Sequence, residues 1–405
     1  MAKMCRILQT YIRIVVACFF GVVFSFFLNV AYACTTGQID TGIECVDTKF
    51  SVTTTNLPAN TEFKFYMSAQ GTFYVDCGDG VAISGTGASG NMITRNDTTE
   101  ALYTCAYTDS GVKTIKFAGL ATGYSTSNVT AIRFGYFPTG DSTPTLVAGI
   151  NGSLGAIFPT LGQSDGQQPV FYRTFAFTKI GSLPENLFSG VTGSTKTQFA
   201  YMCYDCRNLT SIPAGLFSGI SGGARSMFLA TFHTCVKLTT LPDDLFSGIT
   251  NKADYLFYAV FNGDSGLRGY IPESLFAGLV NTGSPIGTGM WTDAFNGTNL
   301  ATTCPVNTKQ ITTGYEELWG GRVACKPIEH HIVTTSYVQG FYEEINTKKQ
   351  DKLESGVNVI TTGAPDGLVV SITADHGVVH VHKEEIQIPV GSVENPSGWL
   401  PIWVE

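Results

Sequence analysis

The segment "IPxxLFSG" recurs along this chain at a nearly constant interval. Its copies are "LPENLFSG", "IPAGLFSG", "LPDDLFSG" and "IPESLFAG", with prolines at Pro184, Pro213, Pro242 and Pro272. An interval of about 29 residues is typical of chains built from stacked structural repeats. One copy is too short to bury its own apolar side chains, so its neighbours must cover them. The centre of the chain is therefore expected to be an array of packed repeats.

Each repeat is predicted to contain a helix, a strand and a helical turn. The pairs Phe228/Phe232 and Phe257/Phe261 are four residues apart, which predicts one face of a short helix. The alternation in "KLTTL" predicts a strand. Proline then begins a helical turn that the glycine of "FSG" ends. The predicted fold class is mixed and multi-domain, with a solenoid of these units between two smaller domains.

The repeat also resembles a known family. The frame "AFxxCxxLTxIPxxLFSG" is similar to the BspA-like leucine-rich repeats of microbial surface proteins. The resemblance covers roughly residues 150–325, within a predicted repeat domain at 136–325. Its first unit, around "SLGAIFPTLG", departs from the frame, as terminal capping repeats do. The resemblance implies a bacterial protein that is secreted or held at the cell surface.

Residues 1–33 have the features of a signal peptide. Lys3, Arg6 and Arg13 precede the apolar run "IVVACFFGVVFSFFLNV", and "AYA" at 31–33 supplies the small residues that a signal peptidase requires. Export with cleavage before Cys34 is the main prediction. An uncleaved membrane anchor and a lipid attached to Cys34 are the two alternatives.

Nine cysteines follow the predicted signal peptide, and export permits disulfides. Three pairs of cysteines are preferred as disulfides. The first pair lies close together at the new N-terminus, the second flanks one β-rich segment, and the third brackets the end of the repeats. They are Cys34–Cys45, Cys77–Cys105 and Cys304–Cys325.

Three further cysteines lie inside the repeats. Cys206 and Cys235 hold the same place in successive repeats, so they are predicted to stack, either as buried thiols or as a disulfide. "CYDC" at 203–206 has the spacing of a redox or zinc pair, but no second CxxC accompanies it. Buried thiols are the preferred interpretation.

Residues 34–135 are predicted to form a β-sandwich. The stretch "FYVDCGDG…YTCAYTDSGVKTIKF" resembles PKD-type immunoglobulin-like domains, whose signature is an aromatic strand ending in a GDG turn. The matching residues are Phe73, Asp76, Gly78, Asp79, Gly80, Tyr107 and Gly111. Asp76 and Asp79 are interpreted as part of a hydrogen-bonded turn. A calcium site is the alternative, although it would need more oxygen ligands than the nearby sequence offers.

Residues 326–405 are predicted to hold a helix and a small β-rich domain. Val338, Phe341, Tyr342 and Ile345 have helical spacing, and "INTKKQDKL" resembles segments of trimeric tail fibres and adhesins. A homo-oligomer through residues 333–405 is therefore considered. His380 and His382, with His376 nearby, fall on one strand face that is interpreted as exposed; a metal site is the alternative.

Charge and motifs narrow the function classes. The chain carries a formal charge of −8, and loss of the three leader cations makes it −11, without any basic run to bind nucleic acid. No nucleophile elbow, zinc-protease helix, phosphate loop or dinucleotide fingerprint is present in the sequence. We therefore expect no enzyme, no cofactor and no nucleic-acid partner, with membrane contact only through an N-terminal anchor.

The repeats predict a binding surface on their strand side. The residues between the buried positions are small, hydroxylated and almost uncharged, with two larger side chains as anchors. They are Thr210, Ser211, Thr239, Thr240, Arg268 and Tyr270, and we call them the threonine face. The predicted function is an exported binding protein or adhesin that presents this face to a protein or glycan. A structural envelope or fibre-like protein is the alternative, and a secreted enzyme with an unrecognised site is a third.

Overall fold

The structure is a computed structural model, and the chain divides into two compact units. Residues 1–302 and 312–324 belong to the first unit, and residues 303–311 and 325–405 to the second. The predicted signal peptide lies outside the described residues. Described are residues 34–135, 143–162, 167–280, 286–306, 308–311 and 317–327, and the backbone of five strands between 358 and 402.

Twelve strands precede the repeats. They are β1 (Gln38–Asp40), β2 (Cys45–Asp47), β3 (Phe50–Thr54), β4 (Thr61–Met67), β5 (Gln70–Asp76), β6 (Ser84–Gly85), β7 (Ala88–Ser89), β8 (Met92–Arg95), β9 (Ala101–Tyr107), β10 (Thr114–Gly123), β11 (Ile132–Arg133) and β12 (Val147–Gly152). A four-residue helix, α1 (Thr143–Leu146), directly precedes β12. The alternating burial of β4 and β5 is the pattern of strands with one face in a core.

These strands form two antiparallel sheets and one hairpin. The larger sheet has the order β12-β3-β10-β5-β8-β7, the smaller has β11-β4-β9-β6, and β1 pairs with β2. Rings from both sheets meet between them, as in the contact of Phe65 with Phe117 at 5.2 Å. Strand β12 lies beyond the predicted domain boundary at 135 and pairs with β3. The sheet therefore includes residues that the sequence had assigned to the repeats.

The structure contradicts the predicted fold class. Most of the regular structure is antiparallel sheet, and the described residues contain just two helices of four residues each, α1 and α2 (Ala277–Val280). In those residues there is no leucine-rich repeat solenoid of helix, strand and helical turn. The predicted strand in "KLTTL" is absent as well. Of the predicted helical turns after proline, Ala214–Phe217 and Glu273–Phe276 are single 3-10 turns.

The residues predicted to be helical form a chain of tight turns instead. We call these residues the turn segments; they are 169–178, 197–206, 226–235, 255–264 and 289–298. In the third, Ser226, Ala230 and Thr234 have positive φ, so a left-handed residue occurs at every fourth position. A right-handed helix cannot contain such residues without breaking. A four-residue turn period also places residues i and i+4 on the same side, which is why Phe228 and Phe232 resembled a helical pair.

Backbone hydrogen bonds join each turn segment to the next. Alternate N–H groups donate to the following segment, and the N–H groups between them donate three residues back within their own segment. Phe199 N–H, for example, donates to Met227 O at 2.9 Å, while Met202 N–H donates to Phe199 O at 3.2 Å. Backbone groups that these left-handed turns remove from water are thereby satisfied. This pairing offsets the conformational cost of the positive-φ residues.

Phenylalanine rings form the core beside the turn segments. Phe217 and Phe246, both from "LFSG" copies, stack at 5.7 Å between ring centroids. Phe228 and Phe257, from the turn segments, stack at 5.6 Å, and Phe228 meets Phe246 at 4.8 Å. Leu216 and Leu245 are buried beside them. A short strand, β13 (Ile271–Pro272), lies between the buried Leu267 and the buried Leu275.

The remaining strands are short and antiparallel. They are β14 (Thr308–Ile311), β15 (Ala324–Pro327), β16 (Asn358–Ala364), β17 (Gly367–Thr373), β18 (His380–His382), β19 (Glu385–Ser392) and β20 (Asn395–Ile402). Strand β16 pairs with β17, and β19 lies between β18 and β20. The predicted helix around Val338 and Ile345 lies outside the described residues, as does His376. His380 and His382 lie in β18, of which the backbone alone is described.

Candidate binding surfaces

The threonine face is at the surface of the first unit. Thr210, Ser211, Thr239 and Thr240 are exposed. The loops that carry them are joined along the repeats: Thr210 N–H and its hydroxyl both donate to Gly181 O at 3.1 Å. The face therefore presents short hydroxylated side chains at equivalent positions of neighbouring repeats.

The two larger residues of this face differ in how they are held. Arg268 is exposed, and its guanidinium donates to Ser265 O at 2.6 Å and to Leu267 O at 3.1 Å. The backbone N–H of Arg268 donates to Thr239 O at 3.0 Å, and this bond places Arg268 beside the preceding repeat. Tyr270 is partly exposed. The arginine is thus fixed by its own loop, with part of its hydrogen-bonding capacity already used.

The repeat cysteines belong to a buried row of small polar side chains. The row consists of Thr178, Cys206, Cys235, Asp264 and Thr298, one from each turn segment. The Cys206 thiol donates to Phe175 O at 3.0 Å and lies 3.4 Å from the Thr178 hydroxyl oxygen. The Cys235 thiol donates to Cys203 O at 3.2 Å. Cys203, Cys206 and Cys235 are free and buried, which is the preferred sequence interpretation.

Asp264 is the acidic member of this row. Its Oδ1 accepts the N–H of Cys235 at 2.6 Å, whereas Oδ2 is buried and has no hydrogen-bond partner within the described part of the chain. Burial raises the pKa of the Asp264 carboxyl well above its usual range, and the bond from Cys235 only partly opposes this. Burial likewise raises the pKa values of Cys203 and Cys235. A thiol whose pKa is raised remains protonated, and a protonated thiol is a poor nucleophile.

The described residues contain three disulfides, and they join the pairs preferred from the sequence. They are Cys34–Cys45, Cys77–Cys105 and Cys304–Cys325. Disulfides of this number indicate an oxidising, exported environment. A sulfur in a disulfide cannot also carry a lipid thioether, so the bridge at Cys34 disfavours the lipid alternative. Among the described residues, we find no helix with the length and apolar character that a membrane span requires.

Asp76 and Asp79 lie in a turn that lysines neutralise. Asp76 Oδ1 accepts Gly78 N–H at 2.9 Å, and its Oδ2 lies 3.5 Å from the Lys116 ammonium. Asp79 forms an ion pair with Lys113. Carboxylates engaged in this way offer few oxygens to calcium, in agreement with the turn interpretation. Throughout the described residues, no cluster of three or more His, Cys, Asp or Glu side chains is placed to hold a metal ion.

A second surface of the turn segments went unnoticed in the sequence. It carries five partly exposed tyrosines, which we call the tyrosine stripe: Tyr172, Tyr201, Tyr204, Tyr255 and Tyr258. They occur at the outward positions of three turn segments. Tyrosines recur in three of the five turn segments, and this recurrence is visible in the sequence. The four-residue turn period that brings them to one side of a segment is not.

No protein-family model, curated protein or solved structure matches this chain. The functional proposal therefore depends on the exposed side chains of the repeats and on the oxidising environment that the disulfides indicate.

Proposed function

We propose that this chain is an exported binding protein, secreted or held at a bacterial cell surface, that presents its repeats to a protein or glycan partner. The supporting observation is the regular exposure of equivalent side chains. Hydrogen bonds from Thr210 to Gly181 O and from Arg268 N–H to Thr239 O each join a repeat to the preceding one, so a partner would meet an ordered surface. Little conformational entropy is then lost when that partner binds.

The proposed activity is binding without catalysis. The buried thiols and Asp264 are the most chemically distinctive groups of the repeats, yet they are buried away from solvent. His233 is partly exposed, and burial lowers its pKa while Asp205 opposes the change. Its Nδ1 lies 2.6 Å from the Thr234 hydroxyl oxygen, and its ring stacks on Tyr204 at 4.7 Å. These contacts support a packing role for this histidine.

A structural envelope or fibre-like protein is the second candidate. Its support is the short run "INTKKQDKL" within residues 333–405, which resembles segments of trimeric tail fibres and adhesins. Under this proposal the C-terminal segment would assemble copies of the chain, and the repeats would space them. Light scattering of the exported chain, with and without residues 333–405, would measure this assembly.

Binding to a panel of host proteins and glycans tests the main proposal. The exported chain would be immobilised, and binding would be compared with a chain bearing Thr210→Ala, Thr239→Ala and Thr240→Ala. We expect at least one partner to bind with measurable affinity. If the panel gives no partner while light scattering shows a stable oligomer, the structural alternative replaces the binding proposal.

A further inference from the structure

The tyrosine stripe consists of two groups of contacting rings, one on the first and second turn segments and one on the fourth. Tyr172 contacts Tyr201 edge-on, with ring centroids 5.7 Å apart. Tyr201 in turn contacts Tyr204 at 5.6 Å. Burial is the main cause that raises the pKa of Tyr201, and the proximity of Tyr172, Tyr204 and Tyr258 adds to it. Leu229 and Ala230 of the third segment lie between Tyr201 and Tyr258: Tyr201 N–H donates to Leu229 O at 2.8 Å, and Ala230 N–H donates to Tyr258 O at 2.8 Å.

The far part of the stripe is joined in the same manner. Tyr258 contacts Tyr255 at 6.1 Å between ring centroids. Leu229 is partly exposed and lies in the segment between Tyr201 and Tyr258. Aromatic pairs at these distances favour edge-to-face or offset arrangements. The stripe thus offers aromatic surface with hydroxyl groups at its edges.

Cationic side chains flank these rings. The Arg173 guanidinium carbon lies 5.0 Å from the ring centroid of Tyr172 and 5.1 Å from that of Tyr201. The guanidinium carbon of Arg225 lies 5.6 Å from the ring centroid of Tyr255. Thr197 N–H donates to Arg225 O at 3.1 Å, so the exposed Lys196 and Arg225 are neighbours across two segments. Three cations therefore accompany the stripe.

Fewer carboxylates than cations lie near the stripe, and each of these carboxylates already accepts a hydrogen bond or forms an ion pair. Asp205 forms an ion pair with Arg207 at 2.9 Å. Asp254 Oδ1 accepts the N–H of Thr288 at 2.7 Å. The stripe is thus locally cationic within a chain whose net charge is −8. Because charges are screened beyond about 10 Å, this local excess governs a ligand in contact with the stripe.

We propose that the tyrosine stripe binds an acidic glycan, a chain of pyranose units that carry carboxylates. This inference rests on the proposed binding function and specifies both the ligand class and the surface, which differs from the threonine face. The C–H faces of a pyranose carry partial positive charge and pack against the negative faces of aromatic rings. A sugar carboxylate would accept paired hydrogen bonds from a guanidinium.

A glycan fits this surface better than an acidic peptide does. Each unit of an acidic glycan offers an apolar ring face, hydroxyls and a carboxylate together. The stripe offers the complementary set at short intervals: ring edges and faces, phenol hydroxyls, and the guanidinium groups of Arg173 and Arg225. A polyglutamate segment would satisfy the cations but would leave the tyrosine rings without an apolar ring to pack against.

Calorimetric titration of the full exported chain tests the proposal. The probes are oligogalacturonate and hyaluronan fragments, with a neutral malto-oligosaccharide and an oligoglutamate peptide of equal length as controls. The stripe variants are Tyr258→Ala and Arg225→Gln, and the matched control is Tyr74→Ala, a partly exposed tyrosine of β5 that belongs to neither surface. Thermal melts of each variant show whether the fold is retained.

We expect at least one acidic glycan to bind, and to bind more tightly than both control ligands. Arg225→Gln should weaken the binding of that glycan about tenfold by removing a charge-assisted hydrogen bond, with the melting temperature unchanged, while Tyr74→Ala should bind like the native chain. The inference is overturned by equal binding of oligoglutamate, by stripe variants that bind normally, or by no acidic glycan binding. If the acidic glycans fail while another partner binds through the threonine face, the proposed function stands and this assignment alone falls.

Discussion

Replacement of Phe246 by alanine is the strongest test of how the repeats are held together. The Phe246 side chain is fully buried. It contacts five other rings, with centroid distances from 4.8 to 6.2 Å: Phe217, Phe228, Phe257, Phe261 and Phe276. A phenylalanine in this setting connects the "LFSG" copies with the turn segments. Its removal should therefore affect three neighbouring repeats together.

The expected loss is about 3 to 5 kcal/mol in the free energy of unfolding, toward the upper end. The transfer of the ring from core to water and the cavity left behind account for this range. Five ring contacts leave little room for the surroundings to collapse, and aromatic pairs add about 0.5 to 1.5 kcal/mol beyond buried area. At roughly 2 to 4 °C per kcal/mol, the melting temperature should fall by about 10 °C.

Thermal and denaturant unfolding of Phe246→Ala would measure this loss, with Thr240→Ala as the exposed control. The control should stay within about 0.5 kcal/mol of the native chain. A Phe246→Ala variant that loses less than about 1 kcal/mol would show that the ring network carries little of the stability. The packing described for the repeats would then be wrong.

N-terminal sequencing of exported material should begin at or next to Cys34, and an intact Met1 would contradict cleavage. Peptide mapping without reduction should recover Cys77 linked to Cys105, while native alkylation should leave Cys206 unmodified; ready labelling would contradict its burial. Asp264→Asn should stabilise the chain more at pH 8 than at pH 4.5. The raised pKa of Asp264 makes its contribution greatest below about pH 4, and that contribution falls as the pH rises toward the folded pKa. Urea unfolding at both pH values measures this, and an equal effect at both would refute the assignment.

The sequence predicted the contacts of the repeats better than their backbone. Leu216, Phe217, Leu245 and Phe246 are buried, as their fixed places in "LFSG" suggested. The helix was wrong because spacing of i and i+4 does not distinguish a helix from a four-residue turn period. Positive φ at Ala230 had no sequence signal, since alanine is a strong helix former. Hydrogen bonds to the next repeat override that preference, and they are invisible in a single repeat.

The candidate sites show the same limit. The disulfide pairs were accessible to sequence reasoning because export and local spacing narrow the choices for each cysteine. The tyrosine stripe was not, because the hydrogen bonds that place one turn segment beside the next are invisible in a single repeat. The threonine face remains a prediction from the alternation of "KLTTL".

The alternating hydrogen bonds of the turn segments also have an electrical consequence. Every backbone N–H group that bonds to the backbone of another segment donates to a carbonyl oxygen of the later one. Examples are the bonds from Phe171 N–H to Gln198 O, from Phe199 N–H to Met227 O, and from Phe228 N–H to Leu256 O. In ordinary sheets peptide dipoles largely cancel. In the turn segments, the peptide units that bond between segments all point in the same direction, and each carries a dipole moment of about 3.5 D. Their fields add along the row of repeats, as they do along a helix axis. Positive potential should therefore accumulate toward residues 289–298, where Asp293 supplies a compensating negative charge.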